Sequence, residues 1–203
     1  MKLRAIEDID ADVEAGGVHA VAALFKDEPE VLYRYARKSP GPIVEIGTYA
    51  GGGTCLLAKA SRDGCGELVY AIDRHESTAP HTEGSAATPY KLTDWKRFML
   101  EVISAEAYDL IRPVGLWSHE AVPAFQTTQL GLVFIDGAHV FRAVTQDLKD
   151  WAPLVHPEGW IITHDLQIPG VRKAVEQWLG SADCAFEIIE TAGSLAVFAR
   201  KHR

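Results

Sequence analysis

The sequence predicts an α/β fold: a doubly wound, seven-stranded sheet, mostly parallel with an antiparallel strand at its C-terminal end, and helices on both faces. Three observations predict it. Apolar runs of strand length alternate with amphipathic stretches of helix length along most of the 203 residues, which is the order of a parallel sheet covered on both sides. The first apolar run leads through a glycine-rich turn into a helix. The last two runs are joined through Thr191-Ala192-Gly193-Ser194 and read as an antiparallel hairpin.

Taken in order, residues 8–40 read as two helices, at about 18–25 and 29–37. Residues 43–47 form the first strand, 54–61 a helix and 68–73 the second strand, closing a βαβ unit of about 30 residues. Residues 110–114 are a weaker third strand. The run 132–136 (LVFID) is uninterrupted in its apolar character and reads as buried. It is followed by a helix on which Val140, Val144, Leu148 and Trp151 form one stripe. Pro157-Glu158-Gly159 is a stop signal, after which 160–163 begin the next strand. Residues 171–179 place Val171, Val175, Trp178 and Leu179 on one helical face, and 186–190 and 195–199 complete the sheet. Trp95, Trp151 and Trp178 fall at helical positions where core packing is expected. Residues 74–94 are the least patterned part of the chain and too long for an ordinary βα connection.

Length and composition bound the function. A chain of 203 residues with 47% hydrophobic content suffices for one α/β domain, 1–203, and is too short for two ordinary ones. A formal charge of −8 without a basic run gives no footprint for phosphate backbones, so no nucleic-acid partner is expected. Cys55, Cys65 and Cys184 are odd in number and lack C-x-x-C pairing, which suits neither a disulfide framework nor a thiolate zinc site. A reducing, cytoplasmic setting follows. No apolar stretch reaches the ~18 residues of a membrane span, and residues 1–12 carry no secretion signal.

The strongest local signal is Ile43-Val44-Glu45-Ile46-Gly47-Thr48-Tyr49-Ala50-Gly51-Gly52-Gly53-Thr54. A buried strand running into E-x-G-x-x-x-G and then a helix puts glycine where backbone turns sharply and a ligand can approach closely. The dinucleotide fingerprint G-x-G-x-x-G needs glycine at position 49, which holds Tyr49, so a nicotinamide-dependent oxidoreductase is a weak alternative. The acidic residue and glycine spacing resemble the first motif of class I S-adenosylmethionine-dependent methyltransferases, whose sheet is Rossmann-like and seven-stranded. That resemblance implies S-adenosylmethionine as cofactor, with Glu45, Gly47, Thr48, Tyr49, Gly51, Gly53 and Thr54 around its methionine end. Asp73 ends the second strand, where doubly wound sheets present a carboxylate to ribose hydroxyls. Arg74 stands beside it. Leu116 and Trp117 follow the third strand, where the family places groups around the adenine.

A second constellation is Phe134-Ile135-Asp136-Gly137-Ala138-His139, with His164-Asp165 at the end of the next strand. Both strand ends reach the carboxyl edge, so Asp136, His164 and Asp165 are candidate ligands of a divalent cation. The pairing resembles small-molecule O-methyltransferases related to catechol O-methyltransferase and to antibiotic- and sugar-tailoring enzymes. In the catechol enzymes the matching strand ends supply Asp, then Asp-Asn, to magnesium; His-Asp here is a departure. The resemblance implies methyl transfer to a small-molecule hydroxyl, with Mg2+ or another divalent cation as an auxiliary. Asp136 would lie at the transfer centre, and His139 would be the base that deprotonates the acceptor, which an imidazole near its ordinary pKa of 6.5 suits. The N-terminal helices of residues 1–40 are expected to form a lid on the cofactor side and the unpatterned 74–94 segment a substrate lid, and the resemblance further implies a homodimer. A non-catalytic protein that keeps the cofactor pocket is the alternative of another class. His75, His81, His119 and His156 show no ligand spacing and read as surface or loop residues.

Overall fold

The computed structural model describes residue 24, residues 27–75 and residues 92–201. The expected helix at 18–25 and most of the 74–94 segment lie outside these residues. The described elements are α1 (Glu28–Arg37), β1 (Ile43–Ile46), α2 (Gly52–Arg62), β2 (Val69–Ile72), α3 (Leu92–Ser104), β3 (Ile111–Val114) and α4 (Ser118–Ala121). They continue with β4 (Leu130–Ile135), α5 (Phe141–Trp151), β5 (Val155–Thr163), α6 (Pro169–Leu179), β6 (Phe186–Ala192) and β7 (Leu195–Arg200).

The seven strands form one sheet in the order β3-β2-β1-β4-β5-β7-β6. The first five pair in parallel, and β7 runs antiparallel to both of its neighbours. The chain reverses direction across the sheet between β1 and β4, so the loops after β1, β2, β4 and β5 open on one edge at the switch point. Every residue of β1 and β4 is buried, as expected of central parallel strands covered on both faces.

Alternate residues of these strands feed two cores. On one face Ile43, Leu132, Phe134 and Ile162 pack with Val31, Leu32 and Ala36 of α1, Leu56 and Leu57 of α2 and Phe98 of α3. On the other, Val44, Val133, Ile135 and Ile161 meet Val144, Leu148 and Trp151 of α5 and Val171 and Val175 of α6. Val144, Leu148 and Trp151 of the stripe are therefore the packing face of α5, while Val140 precedes the helix as its N-cap and is half-buried. Trp151 is fully buried, and Trp178 packs against Phe186 and Phe198.

Two elements differ from the sequence reading. β5 begins at Val155 rather than at residue 160, because Pro157-Glu158-Gly159 lie inside it. They form a bulge: Leu130 pairs with Val155 while Leu132 pairs with Trp160. The turn residues are used to shift register within a strand. The final hairpin is tighter than the four-residue link suggested, since Ala192 pairs directly with Leu195 across Gly193-Ser194.

Candidate active site at the carboxyl edge

The turn after β1 is fixed by close approach. Gly47 has φ +84°, and a Cβ there would sit 2.5 Å from the carbonyl oxygen of Asp136 and from the Cα of Gly137. Only glycine lets the β1 and β4 loops touch in this way. Gly51, at φ +93°, precedes the first turn of α2. Under this turn Glu45 is buried and accepts a hydrogen bond from the Thr54 hydroxyl, while its other oxygen fills the space a side chain at Gly53 would need. Burial pushes the Glu45 carboxyl up to about 8, with Asp136 and Asp73 adding to the rise and Thr54 opposing it.

The β2 end is tied to the same turn. One oxygen of Asp73 accepts from the backbone N–H of Thr48 at 3.0 Å and of Tyr49 at 3.1 Å. The other accepts from the N–H of His75 at 2.8 Å. The carboxylate thus shapes the loop, and the oxygen facing His75 keeps capacity for a further donor. Beyond it the Arg74 guanidinium lies 5.4 Å from the Trp117 ring centre, and Leu116 is exposed. His75 corrects its reading as a surface residue. It is buried, faces the Thr48 hydroxyl at 3.3 Å, and packs against the rings of Trp95 and Phe98 of α3.

Across the switch point, Asp136, His139 and Asp165 bring one ligand atom each within 4.8 Å of one another. His139 Nε2 lies 2.9 Å from Asp165 Oδ2 and 3.8 Å from Asp136 Oδ1, close enough for ion pairs but without an aligned hydrogen bond. Burial disfavours the imidazolium, yet the two carboxylates outweigh it and push His139 up to about 9. This corrects the expectation of an imidazole near its ordinary pKa: at neutral pH the ring carries a proton in this arrangement. Asp165 goes the other way. Burial would raise it, but His139 and His164 hold it well below the usual carboxylate range. Gln167 Nε2 donates to its second oxygen at 2.7 Å.

His164 stands against two members of this group. Its Nδ1 is 3.0 Å from Asp136 Oδ1 and 3.4 Å from Asp165 Oδ2, and its Nε2 is 3.1 Å from Glu28 Oε2. Both nitrogens thus face carboxylates, and the group whose ligand atoms lie within 4.8 Å of one another includes His139. Burial works against the charged ring, but Asp136, Asp165 and Glu28 hold its pKa well above that of free imidazole. Glu28, on the first residue of α1, carries no motif and was not foreseen. Gln167 was likewise missed; an amide two residues after a strand-end Asp is the one local signal that could have found it.

Among the described residues, the non-glycine positions with positive φ are Tyr49 (44°), His75 (55°) and Asp165 (60°). All three lie on this edge. Such conformations cost of order 1–3 kcal/mol each and concentrate at functional sites.

Comparison with known proteins bears on the family and the fold. Residues 44–166 match the family model described as a methyltransferase domain. The Streptomyces olivaceus 8-demethyl-8-(2,3-dimethoxy-alpha-L-rhamnosyl)-tetracenomycin-C 4'-O-methyltransferase is 24% identical over 175 residues, covering 76% of this chain and 64% of the relative. The chain thus spans slightly less than two thirds of that relative's length. Among solved structures, the O-methyltransferase NovP superposes with a TM-score of 0.65 at 20% identity, over 86% of this chain and 79% of its own. TomG of Streptomyces achromogenes, an O-methyltransferase of tomaymycin synthesis solved in complex with S-adenosylmethionine, gives 0.64 at 18% identity, over 100% and 92%. These structures share the Rossmann-like fold. The family match covers more than half the chain, from the middle of β1 past His164 and Asp165, and on that ground the chain belongs to the methyltransferase-domain family.

Proposed function

We propose that the chain transfers a methyl group from S-adenosylmethionine to a hydroxyl oxygen of a small molecule. One observation carries this reading: Asp73 ties the glycine turn of β1 to the end of β2, beside a cluster of Asp136, His139 and Asp165 at the same switch point. The turn offers backbone to a methionine moiety, Asp73 keeps acceptor capacity for ribose hydroxyls, and Arg74, Leu116 and Trp117 flank the place of an adenine ring. The sulfonium supplies the methyl group; the chain's part is to position the acceptor and take its proton.

Asp136, His139 and Asp165 suit a divalent cation better than the expected set with His164. The buried His139 Nε2 is left without an aligned hydrogen bond, and two carboxylates with an imidazole favour a transition ion such as Mn2+ over Mg2+. A cation held there would lower the pKa of the acceptor hydroxyl. Binding it displaces the His139 proton. Without one, His139 acts as base only after losing the proton that Asp136 and Asp165 stabilise, so the cation-free rate climbs with pH towards about 9.

The test has two parts. Calorimetric titration with S-adenosylhomocysteine should give heat of 1:1 binding. Labelled methyl groups should pass from S-adenosylmethionine into a pool of hydroxylated metabolites, faster with Mn2+ than with a chelator. No heat with the homocysteine product removes the methyltransferase reading; equal rates with metal and chelator remove the cation alone.

A further inference from the structure

The acidic half of the site leans on a residue from the far end of the chain. Glu28 is almost fully buried and divides its carboxylate between two elements. Oε2 faces His164 Nε2 at 3.1 Å. Oε1 accepts from the Ser194 backbone N–H at 2.5 Å and from the Ser194 hydroxyl at 2.8 Å. A Cβ at Gly193 would strike this carboxylate, so the β6–β7 turn is shaped to admit it. The other face of His164 reaches Asp136 and Asp165. Among the described residues, His164 connects Glu28 to those two carboxylates.

We infer that Glu28 is a positioning residue: anchored by Ser194, it fixes the His164 ring so that Asp136 and Asp165 converge on His139. The inference rests on the reading of Asp136, His139 and Asp165 as the cation and acceptor site. A buried imidazole held at one nitrogen only could rotate, and the carboxylates at its other nitrogen would lose their common reference. Partners of this outer kind typically change metal affinity by about 10–100-fold.

The experiment uses full-length Glu28→Ala, Glu28→Gln and Ser194→Ala beside wild type, each checked for folding by thermal melts. Mn2+ titration should find Glu28→Ala about 10–100-fold weaker than wild type, Glu28→Gln intermediate because it retains an acceptor, and S-adenosylhomocysteine affinity within about twofold throughout. A folded Glu28→Ala protein that binds Mn2+ as wild type does overturns the inference. A second readout needs no metal. In protein labelled with 15N-histidine, Glu28→Ala should shift the ring signals of His139, to which His164 connects Glu28 among the described residues; unchanged His139 signals also overturn it. Should Glu28→Ala not fold, Ser194→Ala, which removes one of the bonds on Glu28, should give the same shifts at smaller size. Wild type that takes up no Mn2+ removes the cation reading, while the His139 signals still decide the role of Glu28.

Discussion

The β1–β2 side of the carboxyl edge and its β4–β5 side reach the same switch point by different means. On the first side, backbone does the holding: glycines at positive φ, and a single carboxylate, Asp73, that collects three main-chain N–H groups. On the second, charged side chains hold one another, with His139 and His164 set among Asp136, Asp165 and Glu28. A main-chain site keeps its shape whatever its protonation and suits a ligand gripped in one pose. A site of facing charges changes with pH and with any cation, and suits the handling of a proton. Variants of each half should separate these properties.

The largest effect belongs to the one position where the halves touch. Gly47→Ala must relieve a Cβ 2.5 Å from backbone of Asp136 and Gly137 while holding a φ that alanine resists. Backbone is on both sides of the clash, so no side chain can yield. We expect a loss of about 3 kcal/mol or more in chemical denaturation and no measurable S-adenosylhomocysteine binding. A variant that melts and binds as wild type would show that the two loops move independently.

His139→Ala should strike the charged half alone. In the cation-free protein, where His139 is the base, turnover is expected to fall by about 10² or more, the scale of a lost general base, with S-adenosylhomocysteine affinity unchanged because the main-chain half is intact. Wild-type turnover in this variant would remove His139 from the reaction. Asp73→Asn is the reciprocal change. It leaves the acidic cluster untouched but replaces an acceptor-only group facing three N–H donors with one that brings its own donors. Cofactor affinity should weaken about tenfold, in line with the loss of one charge-assisted hydrogen bond, whereas Mn2+ affinity should hold.

The two halves were also unequally legible in the sequence. Gly47, Gly51 and Asp73 announce themselves because a backbone requirement selects a residue type at fixed spacing from a strand end. The central strands were equally plain, since burial on both faces leaves an apolar run that is unbroken in β4 and interrupted only by Glu45 in β1. The start of β5 was not, because Pro157-Glu158-Gly159 have the composition of a stop whether they end a strand or bulge it. In the acidic half, the types at 136, 139, 164 and 165 were visible but their division of labour was not. His164 is held at one nitrogen by Glu28, which lies 136 residues earlier. Local pattern carries no trace of that pairing. His75 was misread for a related reason: its burial comes from Trp95 and Phe98 of a helix that the patterning did not delimit.

The smallest effect tests whether the main-chain half is as indifferent to pH as its hydrogen bonds suggest, and Glu45 is the exception within it. Its folded pKa is raised to about 8 from an ordinary 4.5. The folded protein therefore keeps a proton that the unfolded chain gives up above about pH 4.5, and stability falls as pH rises until about 8 is passed. His139 adds to this trend: raised to about 9, its contribution is fully present below about 6.5 and is lost as pH climbs through 9. Asp165, held low, contributes above its ordinary range and loses that only in acid. The thermal midpoint of wild type should thus peak near pH 5 and decline towards pH 9. Glu45→Gln retains an acceptor for Thr54 and cannot ionise, so it should remove one share of the decline and leave those of His139 and of His164, which is also held above free imidazole. Between pH 7 and 8 the variant should lose less stability than wild type by about 1 kcal/mol, or roughly 2–4 °C in a domain of this size. Parallel melting curves for the two proteins would instead place the pH sensitivity of the edge wholly in its charged half.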